Sequence, residues 1–502
     1  MRETIVAALE RNAIKFGDRP AVTYPAGSIT LTWAELYQKS ASLARHLQSQ
    51  GIQPGDSVAL LIPNRPSFAV ALFALFQLGA RVVPINVRLT PNEINYILQD
   101  SDAVALLCDP GLQETGRQAA QGLNLRLLET VDRLEEAAGA GPAARMEHAL
   151  KAEDTAEILY TSGTTGKPKG VVLSHGAVHA VAAMFAYEME IRPDSRMLIL
   201  MPLTHSAPLN LCLLGATYAG AVSVLGDFTP QNLVQLAAQE KTTHFFGAPV
   251  AFLLAAQLPN LTGFDLSSMK YWIYGGAPMS REAVLKVRQI LPGQLVSVYG
   301  LTEAGPNGVA LYPHEHEHKA GSIGRYGTVN SVLRVVDDQG RDVAPGEAGE
   351  IIIKCASLMD GYYKNPEATA EALKDGWLYT GDVARVDEDG YLWILDRKKD
   401  MIISGGVNIY PKEIEDVLTM HPGIADAAVI GVPHPEWGET VKAVLVAKGA
   451  PPSPEEVQAF CGQYLAKFKI PKIIEYVEMI PRNASGKILK HILREQARQA
   501  AN

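Results

Sequence analysis

Ten residues constrain this chain more than any others: Thr161-Ser162-Gly163-Thr164-Thr165-Gly166-Lys167-Pro168-Lys169-Gly170. Apolar Ile158-Leu159-Tyr160 leads in and Val171-Val172-Leu173 leads out, so the stretch reads as strand, loop, strand. Three glycines let the backbone approach a ligand and turn its N–H groups inward. Four hydroxyls and two lysines share the loop, a donor set suited to a polyphosphate. The spacing is not that of a Walker A loop, which needs a glycine five positions before Gly-Lys and then Ser or Thr; here Pro168 follows Lys167. An ordinary surface loop has the same composition, so the loop is read together with the rest of the chain.

At 502 residues the chain exceeds what one core supports, and at least two domains are expected. Residues 1–150 alternate helical and strand patterns with short connections, the mark of a parallel sheet covered by helices. The pattern resumes after the loop, with a helix over 174–187 and a strand over 197–201 that places His205 at a strand's C-terminal edge, where open α/β sheets bind ligands. Further strands end in Gly275-Gly276-Ala277-Pro278 and in Tyr299-Gly300-Leu301-Thr302-Glu303. The latter puts an aromatic for stacking, a hydroxyl donor and a carboxylate for a hard cation within five residues. His314, His316 and His318 alternate with glutamates and read as a solvated loop rather than a metal cluster. Residues 325–395 carry the turns Asp337–Gly340 and Asp387–Gly390, pointing to a small β-subdomain. Beyond the charged run Asp396-Arg397-Lys398-Lys399-Asp400 lies an α+β segment with helices expected over 411–420, 454–465 and 488–499. Residues 136–145 read as a linker.

Hydrophobic content of 47% and charge of 20% mark a globular chain, and a net charge of −9 argues against a nucleic-acid partner. Cys108, Cys212, Cys355 and Cys461 are widely spaced, which suits a reducing cytoplasm better than a disulfide framework or zinc site. Two apolar stretches imitate membrane spans. Residues 66–85 contain Gln77, Gly79, Arg81 and Pro84, and 198–226 contain Pro202, His205, Pro208 and three glycines; both read as buried α/β core. Neither a secretion signal nor an integral membrane segment is expected.

YTSGTTGKPKGV resembles the signature loop of the adenylate-forming superfamily, which spans acyl- and aryl-CoA synthetases, peptide-synthetase adenylation domains and beetle luciferases. Similar motifs recur in order as far as Lys487, so the resemblance covers essentially the whole chain. It looks most like bacterial fatty acyl-CoA and hydroxycinnamate-type ligases. The resemblance implies an α/β fold: a large N-terminal domain (1–396) of two α/β subdomains plus a small β-barrel-like subdomain, a hinge (397–400) at Lys399, and a small mobile α+β C-terminal domain (401–502). Thr161, Ser162, Gly163, Thr164, Thr165, Gly166 and Lys167 would hold ATP phosphates. Gly276, Ala277, Pro278, Tyr299 and Gly300 would hold the adenine, and Asp382 of Tyr379-Thr380-Gly381-Asp382 with Arg397 the ribose. Mg²⁺ would sit on Thr161 and Glu303, and Thr302 would reach the α-phosphate. His205, Ala207, Gly276 and Gly300 would line the acid pocket; Ser206-Ala207-Pro208 departs from the usual bulky or glycine-containing versions, which leaves the pocket's shape open. Lys487 would be the adenylation lysine, and Ser404-Gly405-Gly406 the loop that passes CoA.

The implied reaction has two steps. A carboxylate attacks the α-phosphorus of ATP, forming acyl-AMP and expelling pyrophosphate; the thiol of CoA then takes the acyl group and AMP leaves. The first transition state spreads negative charge over phosphoryl oxygens, so catalysis is positioning and electrostatics. The small side chains favour a medium- or long-chain fatty acid or a flat aryl acid such as a feruloyl- or coumaroyl-type substrate, with a lean to the fatty acid. A carrier-protein-loading enzyme, a luciferase-like oxygenase and a non-catalytic nucleotide-binding protein are the alternatives; a homodimer is compatible with the sequence. Lys487→Ala is expected to slow acyl-AMP formation about 10²–10³-fold while sparing thioester formation from supplied acyl-AMP. Half-reaction assays check this, and equal loss in both steps would refute the division of labour.

Overall fold

The helix Pro66–Leu78 is apolar on every face, and every residue from Phe68 to Leu78 is buried. A helix with no polar stripe has to lie inside the protein or a membrane. Here it is followed, after the left-handed Gly79, by the buried strand Arg81–Pro84, as the Gly/Arg/Pro interruptions suggested. Among the described residues no helix is long and apolar enough to cross a membrane. The structure is a computed structural model and describes residues 4–139, 150–161, 167–277, 279–405, 407–482 and 488–501.

The chain separates into two compact units. The first comprises residues 1–163, 168–333 and 353–379 and contains two sheets. In one, the parallel strands Leu127–Thr130, Ala103–Cys108, Ser57–Leu61, Arg81–Pro84 and Thr155–Thr161 run side by side. Lys169–Ser174 then pairs antiparallel with Thr155–Thr161, and Gly361–Tyr362 closes that edge. In the other, Gln294–Gly300, Tyr271–Gly275, His244–Gly247, Arg196–Ile199, Val222–Leu225 and Pro20–Tyr24 are parallel, with Gly308–Leu311 and Ile29–Thr32 antiparallel at the edges. The expected α/β class is therefore borne out. Local signals place the helices: Thr32 and Glu35 form a capping box at Trp33–Ser49, and Thr90 and Glu93 do the same at Pro91–Asp100.

The second unit comprises residues 164–167, 334–352 and 380–502. Its antiparallel strands Ile424–His434 and Gly438–Ala447 carry Ile473–Tyr476 in parallel at one edge. The helices Pro411–Met420 and Pro454–Cys461 bury Ile414, Leu418, Val457 and Cys461 against this sheet. It is α+β, as read from the sequence.

Three local expectations are corrected. The helix expected over 454–465 stops at Cys461, where Gly462 follows. The linker expected over 136–145 begins inside the helix Val131–Ala138; residues 140–149 lie outside the described set. The histidine run is exposed at His314 and His318, as expected, but His316 is fully buried, with Nδ1 on the Tyr312 carbonyl at 2.8 Å and Nε2 on the Tyr274 hydroxyl at 3.2 Å. Burial pushes its pKa down to about 4, so it packs as a neutral ring. No metal-binding cluster occurs among the described residues. All four cysteines are free.

One buried charge-bearing group is left half satisfied. Glu157, on the strand that leads into the signature loop, has no exposed surface. Its Oε1 accepts from Asn210 Nδ2 at 2.6 Å, and its Oε2 has no hydrogen-bond partner among the described residues. Burial pushes its pKa up from 4.5 to about 7, against the opposing Asn210 bond. A folded-state pKa above the unfolded one gives stability that is present below the unfolded value and lost as pH rises through the folded one. Glu157→Gln removes this titration. Its stability relative to the parent chain should rise between pH 4.5 and 8 by on the order of 1–3 kcal/mol, read by urea unfolding at several pH values. A difference that does not vary with pH would mean Glu157 is ionised in the folded protein.

Candidate active site

The signature loop is anchored at both ends. Thr161 pairs with Lys169 across the two antiparallel strands, so the ends of the intervening loop are fixed a strand spacing apart. Tyr96 donates to the Pro168 carbonyl at 3.1 Å, and Tyr160 donates to Asp100 at 2.6 Å. Lys167 is exposed. Ser162, Gly163, Thr164, Thr165 and Gly166 lie outside the described residues.

Tyr299 and Gly300 end a strand whose antiparallel partner is Gly308–Leu311, and the chain between them makes the tight turn Thr302–Ala304. Gly300 is required here by backbone packing: a Cβ would lie 2.7 Å from the Pro306 carbonyl oxygen and 2.9 Å from that of Asn307. The space beside its Cα is filled by the chain itself. The turn is held from behind by Ser357 Oγ donating to the Ala304 carbonyl at 2.7 Å and by the Met359 N–H donating to the Glu303 carbonyl at 2.9 Å. Both functional side chains of the turn have a hydroxyl partner. Tyr362 donates to Glu303 Oε1 at 2.9 Å, and Ser206 Oγ lies 2.9 Å from Thr302 Oγ1. Lys169, the last lysine of the signature motif, sits over the Tyr362 ring at 5.0 Å. Tyr362 therefore touches both the carboxylate and a signature-loop lysine.

His205 follows the strand Arg196–Ile199 through a loop bolted by Asn64, whose Nδ2 donates to the Met201 carbonyl and whose Oδ1 accepts from the Leu203 N–H, both at 2.9 Å. Asn86 Nδ2 approaches His205 Nε2 at 3.4 Å. Burial, with the Arg88 cation second, pushes the His205 pKa below the usual histidine range, so the ring is neutral near pH 7. Ser206 and Ala207 open a π-helical turn, Ala207–Leu213, a rare geometry that recurs at functional sites. Three side-chain pairs, Asn86–His205, Ser206–Thr302 and Glu303–Tyr362, are thus linked through the adjacent residues 205–206 and 302–303 in the first unit. Gly276 has positive φ (+78°), and a Cβ there would meet nothing within 4 Å, so open space adjoins it and Ala277. Pro278 lies outside the described residues. Tyr274, at the end of the same strand, is core: it is 2% exposed and its hydroxyl is taken by His316.

In the second unit Asp382 and Arg397 face each other across paired strands, with Arg397 Nε 2.5 Å from Asp382 Oδ1. Lys399 lies in the short turn Lys398–Asp400. Carboxylates on both sides of it are tied to the C-terminal helix Lys490–Ala501. Lys490 reaches Glu415 at 2.8 Å and Asp396 at 3.8 Å, and Arg494 reaches Asp400 at 2.8 Å. Burial pushes the Asp396 carboxyl up despite Lys490; burial acts the same way on Asp400, but Arg494, Lys490 and Lys399 together hold it below the usual carboxylate range. Ser404 and Gly405 end the tight hairpin of Ile402–Ser404 with Val407–Ile409. The half-exposed Trp437 ring lies against Gly405, where a Cβ would come within 2.8 Å of it. Gly406 and Lys487 lie outside the described residues. Sequence reasoning did not find Asn64, Asn86, Tyr362, Trp437, Lys490 or Arg494. None belongs to a motif, and each acts on a residue distant in the chain.

The AMP-binding enzyme family model matches residues 9–363, and the model of the AMP-binding enzyme C-terminal domain matches residues 413–487. A feruloyl-CoA synthase of Amycolatopsis sp. is 40% identical over 475 residues, covering 94% of each chain. A long-chain-fatty-acid–CoA ligase, FadD13, of Mycobacterium tuberculosis is 37% identical over 491 residues, covering 95% of each. The solved structure of o-succinylbenzoate coenzyme A synthetase from Bacillus subtilis, in complex with ATP and magnesium ion, superposes with a TM-score of 0.88 at 31% identity, covering 98% of this chain and 99% of that one. With both family segments in order and relatives matched almost end to end, the chain belongs to the AMP-binding enzyme family and is an acid–CoA ligase of the adenylate-forming class.

Proposed function

We propose that this ligase activates a medium- or long-chain fatty acid as acyl-AMP and passes the acyl group to CoA. The observation that carries the reading is the chain of pairs Asn86–His205, Ser206–Thr302 and Glu303–Tyr362, which brings a neutral histidine, a hydroxyl and a carboxylate suited to a metal–phosphate complex onto two short segments joined by the Ser206–Thr302 contact. His205 and the space at Gly276 and Ala277 take the acid; Thr302 donates to the α-phosphoryl oxygens. Glu303 suits Mg²⁺, because Tyr362 fixes Oε1 and a carboxylate keeps a second oxygen for a hard cation. A magnesium ion bound with ATP supplies positive charge against the phosphates. Thr161 and the signature loop hold the β- and γ-phosphates, Tyr299 stacks on adenine, and Asp382 with Arg397 takes the ribose hydroxyls. Lys487 bridges the carboxylate and the α-phosphate in the first step. Rotation about Lys399 then brings Ser404, Gly405 and Gly406 to the acyl-adenylate for the thiol.

The similarity to a feruloyl-CoA synthase favours a second reading, with a hydroxycinnamate-type acid as substrate. Mass spectrometry of products after mixing the protein with Mg-ATP, CoA and a panel of fatty acids, benzoates and cinnamates separates the two. One fatty acyl-CoA dominating, with AMP formed in equal amount, is the expected result; a cinnamoyl thioester would establish the second reading. Acyl-AMP without thioester would point to a carrier protein as acceptor.

The place of Tyr362 makes a separate prediction. Tyr362→Phe frees Glu303 Oε1 and should lower the rate of acyl-AMP formation roughly tenfold and raise the magnesium concentration needed for half-maximal rate. Initial rates across a magnesium titration check it, and an unchanged titration midpoint would count against Glu303 as the metal residue.

A further inference from the structure

Ser206 stands at the start of a helix, where serine ordinarily caps a backbone N–H. It does not do so here: the side chain makes no cap bond. Its hydroxyl is instead 2.9 Å from Thr302 Oγ1, and this is the one side-chain hydrogen bond of Ser206 among the described residues. The residue is 9% exposed, and the backbone around it is fixed by the Leu209 N–H donating to the His205 carbonyl at 3.2 Å. The two residues are 96 positions apart. One follows the histidine on the acid side, and the other precedes the carboxylate on the phosphate side.

Each hydroxyl has one proton to donate and two lone pairs. Between two hydroxyls a single proton lies on the line that joins them. If Thr302 supplied it, that proton would be turned away from any ligand. If Ser206 supplies it, Thr302 accepts with one lone pair and its own O–H points elsewhere, free for a phosphoryl oxygen. Ser206 has no competing acceptor among the described residues, so nothing draws its proton away from Thr302. Glu303 is treated in the same way by Tyr362, whose O–H fixes one oxygen of the carboxylate.

We propose that Ser206 is a positioning residue for acyl-AMP formation, donating to Thr302 so that the threonine hydroxyl is preset as a donor to the α-phosphoryl group. The proposal rests on the reading of Thr302 given above. Ser206 itself touches neither the phosphate nor the metal. It acts only in the first half-reaction, where negative charge develops on those oxygens, and only through Thr302.

The test is a double-mutant cycle read by acid-dependent exchange of pyrophosphate into ATP. Thr302→Ala is expected to lower the exchange kcat about 10²-fold and Ser206→Ala about tenfold, each with KM for acid and ATP changed less than about twofold. The double variant should be no slower than Thr302→Ala alone, because Ser206 has nothing left to position. Ser206→Thr, which keeps the hydroxyl, should retain most of the rate, and thioester formation from supplied acyl-AMP should be unchanged in Ser206→Ala. Losses that multiply to about 10³ overturn the proposal, since the two hydroxyls would then act independently. A silent Ser206→Ala beside an impaired Thr302→Ala also overturns it, while leaving the role of Thr302 intact. A silent Thr302→Ala removes the reading of Thr302 first, and the proposal with it. Melting temperatures of all variants separate these outcomes from a failure to fold, and Ser206→Thr serves if Ser206→Ala unfolds.

Discussion

The site of this ligase depends on one tight turn. Between two antiparallel strands the chain has only Leu301 to Asn307 in which to reverse, and it does so with Gly300 pressed onto the backbone of Pro306 and Asn307. Gly305 closes the turn in the left-handed region with its Cα against the Ser357 carbonyl, where a Cβ would lie 2.6 Å away. Buried Asn307 completes the support, donating to Asn330 at 2.6 Å and to Ser357 at 3.2 Å while accepting from Thr328. These contacts leave Thr302 and Glu303 no freedom except in their side chains. The hydroxyls of Ser206 and Tyr362 then remove that freedom as well. Preorganisation of this kind matters for phosphoryl chemistry because the donors must already point at charge that appears only in the transition state.

The histidine side is built by the same logic with different parts. Asn64 ties the loop before His205 to the end of its own strand, and burial keeps the imidazole neutral. A neutral ring would form no ion pair with the carboxylate of the acid proposed to bind beside it. The π-helical turn after it is joined to the strand of the signature loop by the Asn210–Glu157 hydrogen bond. That bond links the element leading into the loop with the turn that follows His205. In the second unit Lys490 and Arg494 hold carboxylates on both sides of Lys399, so the segment proposed to turn is tied to the C-terminal helix Lys490–Ala501. Buried ion pairs contribute little net stability, but removing one partner leaves the other charge unpaired. Their clearest effect is to fix geometry.

Much of the fold was legible because its signals are local. Capping residues such as Thr32 and Thr90, prolines in first turns and the apolar runs of the parallel strands marked nearly every element of the first unit. The apolar stretch 66–85 was separable from a membrane span by its Gly, Arg and Pro alone. The failures were of another kind. His316 looked solvated because charged neighbours flank it in sequence, yet in a short helix alternate residues point in different directions, and His316 alone turns into the core beneath Tyr274. Nor does local sequence explain why residue 300 is glycine, because the backbone that fills the space beside it arrives from several residues further on.

By itself the sequence determined the reaction class and marked the groups proposed to reach the nucleotide. Those groups lie in short motifs whose spacing is the chemistry: hydroxyls and lysines on a glycine loop, then Thr302 beside Glu303. Only the tertiary structure decided which groups hold them. Ser206 meets Thr302 across 96 residues, Tyr362 meets Glu303 across 59, and Asn86 meets His205 across 119. Such contacts are made by sheet order and crossover connections, which bring strand ends together whatever their separation along the chain. No local pattern records them, because each residue's type is explained as well by an ordinary loop or strand until its partner is in place.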